Sequence, residues 1–255
     1  MDFSSGRAKR LDDIDLPKIG ATIGVGEDEL HAVIDVESRG SGFDRKNRPI
    51  ILFERHWFNR LLPKSKKARA RSEGLATTKW SRKTYNQDQY RLLERAMRID
   101  KTAALKSCSW GMFQVMGFNH KKAGYSSVLK MVEAFMDDEE THLQAAVNFI
   151  VASNIDDDLR RHDWHGFARV YNGSGYRKNN YHTKLARSFA RWSRIKDTPY
   201  HASAIEAART PEPLPKPKGV KEPKSVSQTR PEPLPALTIF EALGALLKAL
   251  FGGRK

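Results

Sequence analysis

The distribution of proline constrains this chain more than any other feature. Eight of its twelve prolines lie between Pro211 and Pro235, a stretch without an aromatic residue, and Pro-Glu-Pro-Leu-Pro occurs twice, at 211–215 and 231–235. Each proline locks φ and removes a backbone donor, so neither a helix interior nor a central strand tolerates such a run. An extended, semi-rigid spacer is expected there, reaching up to roughly 75 Å at about 3.1 Å per residue. A spacer without specific recognition is the simpler reading of such composition. The chain then divides into a folding unit over residues 1–200, a proline-rich linker over 201–235 and a C-terminal segment over 236–255.

The first unit has the means to fold. Hydrophobic residues make up 39% of the 255-residue chain and charged residues 29%, which excludes a wholly disordered protein and suits one core of about 200 residues. Its apolar spacing is helical. Leu30, Val33 and Ile34 fall on one face between Glu27 and Glu37, and residues 87–99, 126–136, 138–152 and 181–195 repeat the pattern. In the last of these, Leu185, Phe189 and Trp192 share a face, while Lys184, Arg187, Arg191 and Arg194 form a basic stripe on another. Pro49-Ile50-Ile51-Leu52-Phe53 is a short apolar run that suits a strand or the start of a helix. Residues 64–71, mostly Lys and Arg, read as a solvated loop. Asp137-Asp138-Glu139-Glu140 opens a helix, where acids complement the dipole. The fold class expected is mainly α with a small β or irregular element.

Charge narrows the partners only to anions. The 45 Lys and Arg against 30 Asp and Glu leave +15, which favours nucleic acid, acidic phospholipid or a polyanionic bacterial envelope. No docking motif supports a nucleic-acid module, although residues 64–71 and the 184–194 stripe keep it as an alternative. Cys108 is the only cysteine, so an internal disulfide framework and multi-cysteine metal clusters are excluded, and a packing thiol is expected. His162-Asp163-Trp164-His165 holds the closest histidine pair, read as a surface pair and not a zinc site. No metal or cofactor is expected. The first residues lack the apolar stretch of a secretory signal, so synthesis is expected to end in the cytoplasm.

Glu37 departs from the helical pattern in an informative way. Three, four and seven residues back lie Ile34, Val33 and Leu30, so periodicity puts this carboxylate on the apolar stripe. A carboxyl group beside apolar side chains favours its neutral form, as a general acid near neutral pH requires. The following Ser38-Arg39-Gly40-Ser41-Gly42-Phe43 suits a helix stop and a tight excursion at the rim of a cleft. Two later segments resemble further walls of that cleft. Ser107-Cys108-Ser109-Trp110-Gly111-Met112-Phe113-Gln114 mixes glycine, an aromatic ring and one amide, a combination suited to sugars. Val170-Tyr171-Asn172-Gly173-Ser174-Gly175-Tyr176 ends a helix-like stretch in a glycine turn, with Tyr171 and Asn172 expected to be exposed.

Glu37-Ser38, Ser109-Trp110-Gly111-Met112-Phe113-Gln114 and Tyr171-Asn172-Gly173-Ser174-Gly175 together resemble the three ordered signature segments of the lysozyme-like superfamily, which includes lytic transglycosylases and goose-type lysozymes. Residues 36–43 with Ile51-Leu52-Phe53-Glu54-Arg55-His56-Trp57-Phe58 more closely resemble the phage-type N-acetylmuramidase family, whose domains occur in endolysins. The resemblance spans about residues 20–195. It implies a lysozyme-like muramidase domain acting on bacterial peptidoglycan, with Glu37 protonating the glycosidic oxygen between N-acetylmuramic acid and N-acetylglucosamine. Ser38, Ser109, Gln114, Tyr171 and Asn172 would shape the sugar cleft or position Glu37. A second carboxylate, if the chemistry uses one, is Glu54 first and Asp44 second, with a structural ion pair the competing role for Glu54. A lytic transglycosylase is the neighbouring alternative, and a monomer released to the wall from the host cytoplasm is the form implied.

The segment from Leu237 to Phe251 closes the chain. As a helix it would gather Thr238, Glu241, Gly244 and Lys248 in one sector. Fifteen residues make roughly 22 Å, short of a bilayer's hydrocarbon thickness of about 30 Å. An amphipathic helix in contact with membrane or outer-membrane lipid is the expectation, against docking or self-association.

Overall fold

Capping residues and apolar spacing account for most of the helices in the computed structural model, which describes residues 1–37 and 40–200. The expected linker, the expected C-terminal helix and Ser38 lie outside the described residues. The elements run α1 (Asp15–Ala21), α2 (Glu27–Glu37), β1 (Ile51–Phe53), α3 (Arg55–Leu61), α4 (Lys64–Ser72), α5 (Gln89–Met97) and α6 (Lys101–Lys106). They continue with β2 (Cys108–Trp110), β3 (Val115–Met116), α7 (Val128–Asp137), α8 (Glu139–Ala152), α9 (Asp156–Arg160), α10 (Trp164–Tyr171) and α11 (Tyr181–Trp192). Asp88, Asp100, Ser127, Asp138 and Asp163 precede α5, α6, α7, α8 and α10, and each accepts a backbone N–H of the helix it starts. The fold is mainly α, as expected.

Helix α4 corrects the loop expected over residues 64–71. Lys, Arg and Ala are good helix formers, and Pro63 sits just before the first turn. Arg69 pairs with Glu73 at 2.8 Å and Lys66 with Asp100 at 2.9 Å. Ala70 is its only buried residue, so the helix leaves no apolar periodicity to read.

Helix α8 runs through the middle of the core. His142, Leu143, Ala145, Ala146, Val147, Phe149 and Ile150 are all buried, which covers more than one face and marks a helix surrounded by others. Its alanines let neighbours approach closely. Beside α5 and α6 lies an antiparallel sheet ordered β1-β2-β3, with Ile51 opposite Trp110, Phe53 opposite Cys108 and Ser109 opposite Met116. All three strands are buried throughout, so this small sheet is core and not a solvent-facing ribbon. The Trp110 Nε1–H donates to the Leu105 carbonyl at 3.0 Å, which satisfies the one polar atom of a fully buried indole.

The amino-terminal arm belongs to the same core. Phe3 is buried with its ring 5.1 Å from Tyr90 and 5.9 Å from Trp110. Lys9 N–H donates to Asp137 O at 2.9 Å, and Glu139 N–H donates to Lys9 O at 2.9 Å. The arm is thereby stitched to the corner between α7 and α8. At Gly6 an added Cβ would run into the Met136 carbonyl and come 2.9 Å from the Met136 Cβ. Gly6→Ala is therefore expected to lower stability by about 1–3 kcal/mol, the usual range for overpacking, in urea or thermal unfolding. An unchanged midpoint would mean the arm is not docked in solution.

Candidate active site

The site begins with the way α2 is held. Leu30, Ala32, Val33 and Val36 are buried, and α2 lies along α11. On the flank of that contact Asp35 Oδ2 accepts from Ser188 Oγ, Arg191 Nη2 and Trp192 Nε1, the last at 2.6 Å. The His31 imidazole stacks on Trp192 at 3.7 Å between centroids and 7° between planes. Polar bonds on one side of α2 and apolar packing on the other leave little freedom of rotation about its axis. The stripe that carries Leu30 and Val33 therefore carries Glu37 inward with it.

Glu37 is 3% exposed, deeper than the cleft rim its position suggested. Its partner comes from the end of α10, where Gly173 at φ +75° ends the helix in the left-handed region that favours glycine. Asn172 occupies the C-cap position just before it. The Asn172 Nδ2–H donates to Glu37 Oε1 at 2.6 Å. Oε2 is buried and has no hydrogen-bond partner among the described residues. Burial pushes the Glu37 carboxyl from the usual 4.5 up to about 8, against the smaller pull of Asn172 and of the Lys184 charge. Tyr171 is buried, stacked on Phe167 at 4.9 Å and edge-on to Phe149 at 6.3 Å. Burial, and then the nearby Glu37, raise the pKa of both Tyr171 and Tyr181. Among the described residues the carboxyl therefore has two protonated phenols nearby, one amide bonded to it and Lys184 as the cation acting on it.

Ser109 and Gln114 lie in the neighbouring turn, both buried. Ser109 Oγ–H donates to Gln114 Oε1 at 2.7 Å, and Gln114 Nε2 donates to the carbonyls of Ile50 and Gly111 at 3.1 and 2.9 Å. The amide is spent on bracing its own turn, which carries Gly111 at φ +69° and Gln114 at φ +49°. Both residues serve the shape of the wall.

The two candidate second carboxylates have other company. Glu54 is buried just after β1. Its Oε1 accepts from Tyr85 Oη at 2.7 Å, its Oε2 lies 3.3 Å from His56 Nδ1, and Trp80 Nε1–H in turn donates to Tyr85 Oη at 3.1 Å. None of these groups is a hydrogen-bond partner of Glu37. At Asp44 burial is outweighed by Arg48, whose guanidinium lies 2.7 Å away, and by the N–H groups of Lys46 and Arg48, so its pKa falls. Asp44 closes a turn.

Of the residues expected to form the site, Glu37, Tyr171 and Asn172 come together, Ser109 and Gln114 brace an adjoining turn, and Glu54 lies in a separate network. Tyr171 and Asn172 are buried where the sequence suggested exposure, Lys184 reads in the sequence only as part of a basic stripe, and Tyr181 is not singled out there. The signal for Tyr181 was its place four residues before Leu185, on the apolar face. His162 and His165 do not pair with each other: His162 bonds Glu29 at 2.7 Å, and His165 stacks on His182 at 4.1 Å. Among the described residues no group of three or more His, Cys, Asp or Glu could hold a metal ion, and no helix is long and apolar enough to cross a membrane. Cys108 is buried in β2, a packing thiol as expected.

Because the folded chain keeps a proton on Glu37 that the unfolded chain releases above about pH 4.5, the stability this site contributes is complete below that pH. It is lost as the pH rises through about 8. Glu37→Gln preserves the acceptor for Asn172 without a charge. It is expected to be near neutral at pH 4.5 and to stabilise by about 2–4 kcal/mol at pH 7.5, at roughly 1.4 kcal/mol per pKa unit. Urea unfolding at both pH values reads this directly, and an equal effect at the two would mean that Glu37 titrates as a solvated carboxylate.

Comparison with known proteins bears on the same residues. A family model described as N-acetylmuramidase matches residues 27–193, which includes Glu37, the Ser109–Gln114 turn and the Tyr171-Asn172-Gly173 cap. The described fold is similar to the crystal structure of a Burkholderia AP3 phage endolysin, with a TM-score of 0.68 and 38% identity over 73% of each chain. No curated protein sequence matches the chain. With most of its described length matched by the family model, and a lysozyme-like fold around a buried glutamic acid, the chain belongs to the N-acetylmuramidase family.

Proposed function

We propose that this protein is a phage-type endolysin that hydrolyses the glycosidic bond between N-acetylmuramic acid and N-acetylglucosamine in bacterial peptidoglycan, with Glu37 as the general acid. The observation that carries this reading is a buried carboxyl with one oxygen held by Asn172 and the other without a partner among the described residues, protonated near neutral pH. Asn172 fixes the orientation. The unpartnered oxygen delivers its proton to the glycosidic oxygen as the bond to the anomeric carbon breaks. Glu37, ionised by that transfer, then takes the proton of the water that adds to the sugar. Tyr171 and Tyr181 keep water from the carboxyl, and Ser109 and Gln114 hold the adjoining wall in shape.

Glu54 enters this reading through its charge. Tyr85 donates to one of its oxygens and His56 faces the other. We assign it electrostatic support of the oxocarbenium-like transition state.

On purified peptidoglycan, Glu37→Gln is expected to lower turbidity loss by at least about a thousandfold and Glu54→Gln by about ten- to a hundredfold. Wild-type activity should fall as the pH rises through about 8. Mass spectrometry of the products should find reducing muramic acid. A 1,6-anhydro ring would assign the neighbouring transglycosylase chemistry, and full activity in folded Glu37→Gln would remove Glu37 from the mechanism.

For residues 237–251 we retain the expectation of an amphipathic, membrane-contacting helix. Deleting residues 236–255 should abolish leakage from anionic liposomes and preserve digestion of isolated peptidoglycan. Leakage that persists in the truncated chain would refute this.

A further inference from the structure

Helix α8 reaches two loops, one of them the excursion that follows Glu37, through two buried side chains one turn apart. Glu139 Oε1 accepts from the Gly42 N–H at 2.6 Å, from Ser41 Oγ at 3.2 Å and from Arg10 Nη1 at 2.9 Å, and its Oε2 accepts from the Leu11 N–H at 3.1 Å. His142, fully buried, accepts the Met112 N–H on Nδ1 at 3.2 Å. Its Nε2 lies 2.8 Å from the Phe135 carbonyl. A backbone N–H donating to Nδ1 and a carbonyl facing Nε2 select one neutral tautomer, with the proton on Nε2.

Two glycines press on that imidazole. A Cβ at Gly42 would collide with Nδ1 and come 2.7 Å from Cε1, and a Cβ at Gly111 would lie 2.7 Å from Nδ1. Gly42 belongs to the excursion that follows Glu37, and Gly111 opens the turn that ends at Gln114. Between them runs a second link, in which Ile50 N–H donates to Gly42 O at 2.7 Å and Gly111 N–H donates to Ile50 O at 2.8 Å. The ring of Phe43 completes the arrangement, 5.2 Å from His142 on one side and 4.9 Å from the Arg10 guanidinium on the other.

We propose that Glu139 and His142 are positioning residues for Glu37, a clamp on α8 that locks the Ser41-Gly42-Phe43 loop against the Gly111-Met112 turn and so closes the wall that keeps water from the acid. This rests on the reading of Glu37 as the general acid. Asn172 is the one described hydrogen-bond partner of that carboxyl, so its exclusion from water depends on the walls around it, and the loop five residues away is fixed by α8. Burial lowers the His142 pKa to about 4, which keeps Nδ1 an acceptor over the range in which a wall-digesting enzyme with a protonated Glu37 operates.

The test compares His142→Leu, which removes both ring nitrogens, with His142→Asn, whose amide oxygen falls near the place of Nδ1. At pH 6 on purified peptidoglycan, His142→Leu should lower kcat ten- to a hundredfold with KM within threefold, and His142→Asn should recover at least fivefold of that loss. The alkaline limb of the kcat profile should move down by at least one pH unit in His142→Leu, because water then reaches Glu37. The groups that face Glu37 directly, Asn172, Tyr171, Tyr181 and Lys184, are unchanged in both variants. A folded His142→Leu with wild-type kcat and an unmoved limb overturns the proposal, since a purely structural role lowers only Tm.

A second measurement needs no substrate. The pH dependence of unfolding, compared between Glu37 and Glu37→Gln, reports where Glu37 titrates, and in the Glu139→Gln background that transition should fall by at least one pH unit. An unmoved transition overturns the clamp even where activity is lost. Absence of reducing muramic acid from the wild-type digest would overturn the Glu37 reading instead. If His142→Leu does not fold, Gly42→Ala and His142→Asn in a double-mutant cycle should be non-additive in kcat by more than fivefold, and additive effects refute the coupling.

Discussion

The removal of one carboxyl group from water sets the terms for the rest of the described structure. A carboxylate gives up a large hydration energy on burial, and a protein meets that cost by pairing the charge, by hydrogen-bonding it fully or by keeping the proton. Among the described residues Glu37 has a single amide donor and only the lesser pull of the Lys184 charge, so the proton stays. Burial without full compensation is what holds it. Its cost is borne by a core that spans α2, α8, α10 and α11.

That core works because α2 is prevented from turning. Asp35 is held by three donors from α11, and the apolar stripe packs inward. A rotation of α2 by even one residue's angular step would exchange a buried Glu37 for a solvated one. Glu37 and Glu139, both buried acids, are opposite solutions to the same problem. Glu139 collects four donors, among them a guanidinium, and serves as an anchor. Glu37 collects one among the described residues and keeps its proton.

Much of this was legible in the sequence, for identifiable reasons. Leu30, Val33 and Ile34 at helical spacing placed Glu37 on an apolar face before any coordinates, and the glycine after Asn172 marked the helix end that delivers its amide. Other parts left no local trace. Helix α4 has one buried residue and so no periodicity. The depth of Glu37 depends on Tyr171 and Tyr181, which converge only in three dimensions. Gln114 suits a sugar by its amide beside a glycine turn, while its bonds to Ser109, Gly111 and the distant Ile50 carbonyl appear only in the fold. Glu139 read as a helix-dipole acid because nothing in its neighbourhood of sequence announces Gly42 or Arg10. Those partners lie 97 and 129 positions away.

The same separations have a consequence for how the protein comes into being. Glu37 and the amide that holds it are 135 residues apart, so the contact closes a loop that spans more than half the chain. Contacts of that range form late, after local helices have condensed. During synthesis, α2 emerges long before Asn172 and α11 exist, and Glu37 is then an ordinary, ionised, solvated side chain. The carboxyl is sheltered from water only once α10 and α11 have been made and docked against α2.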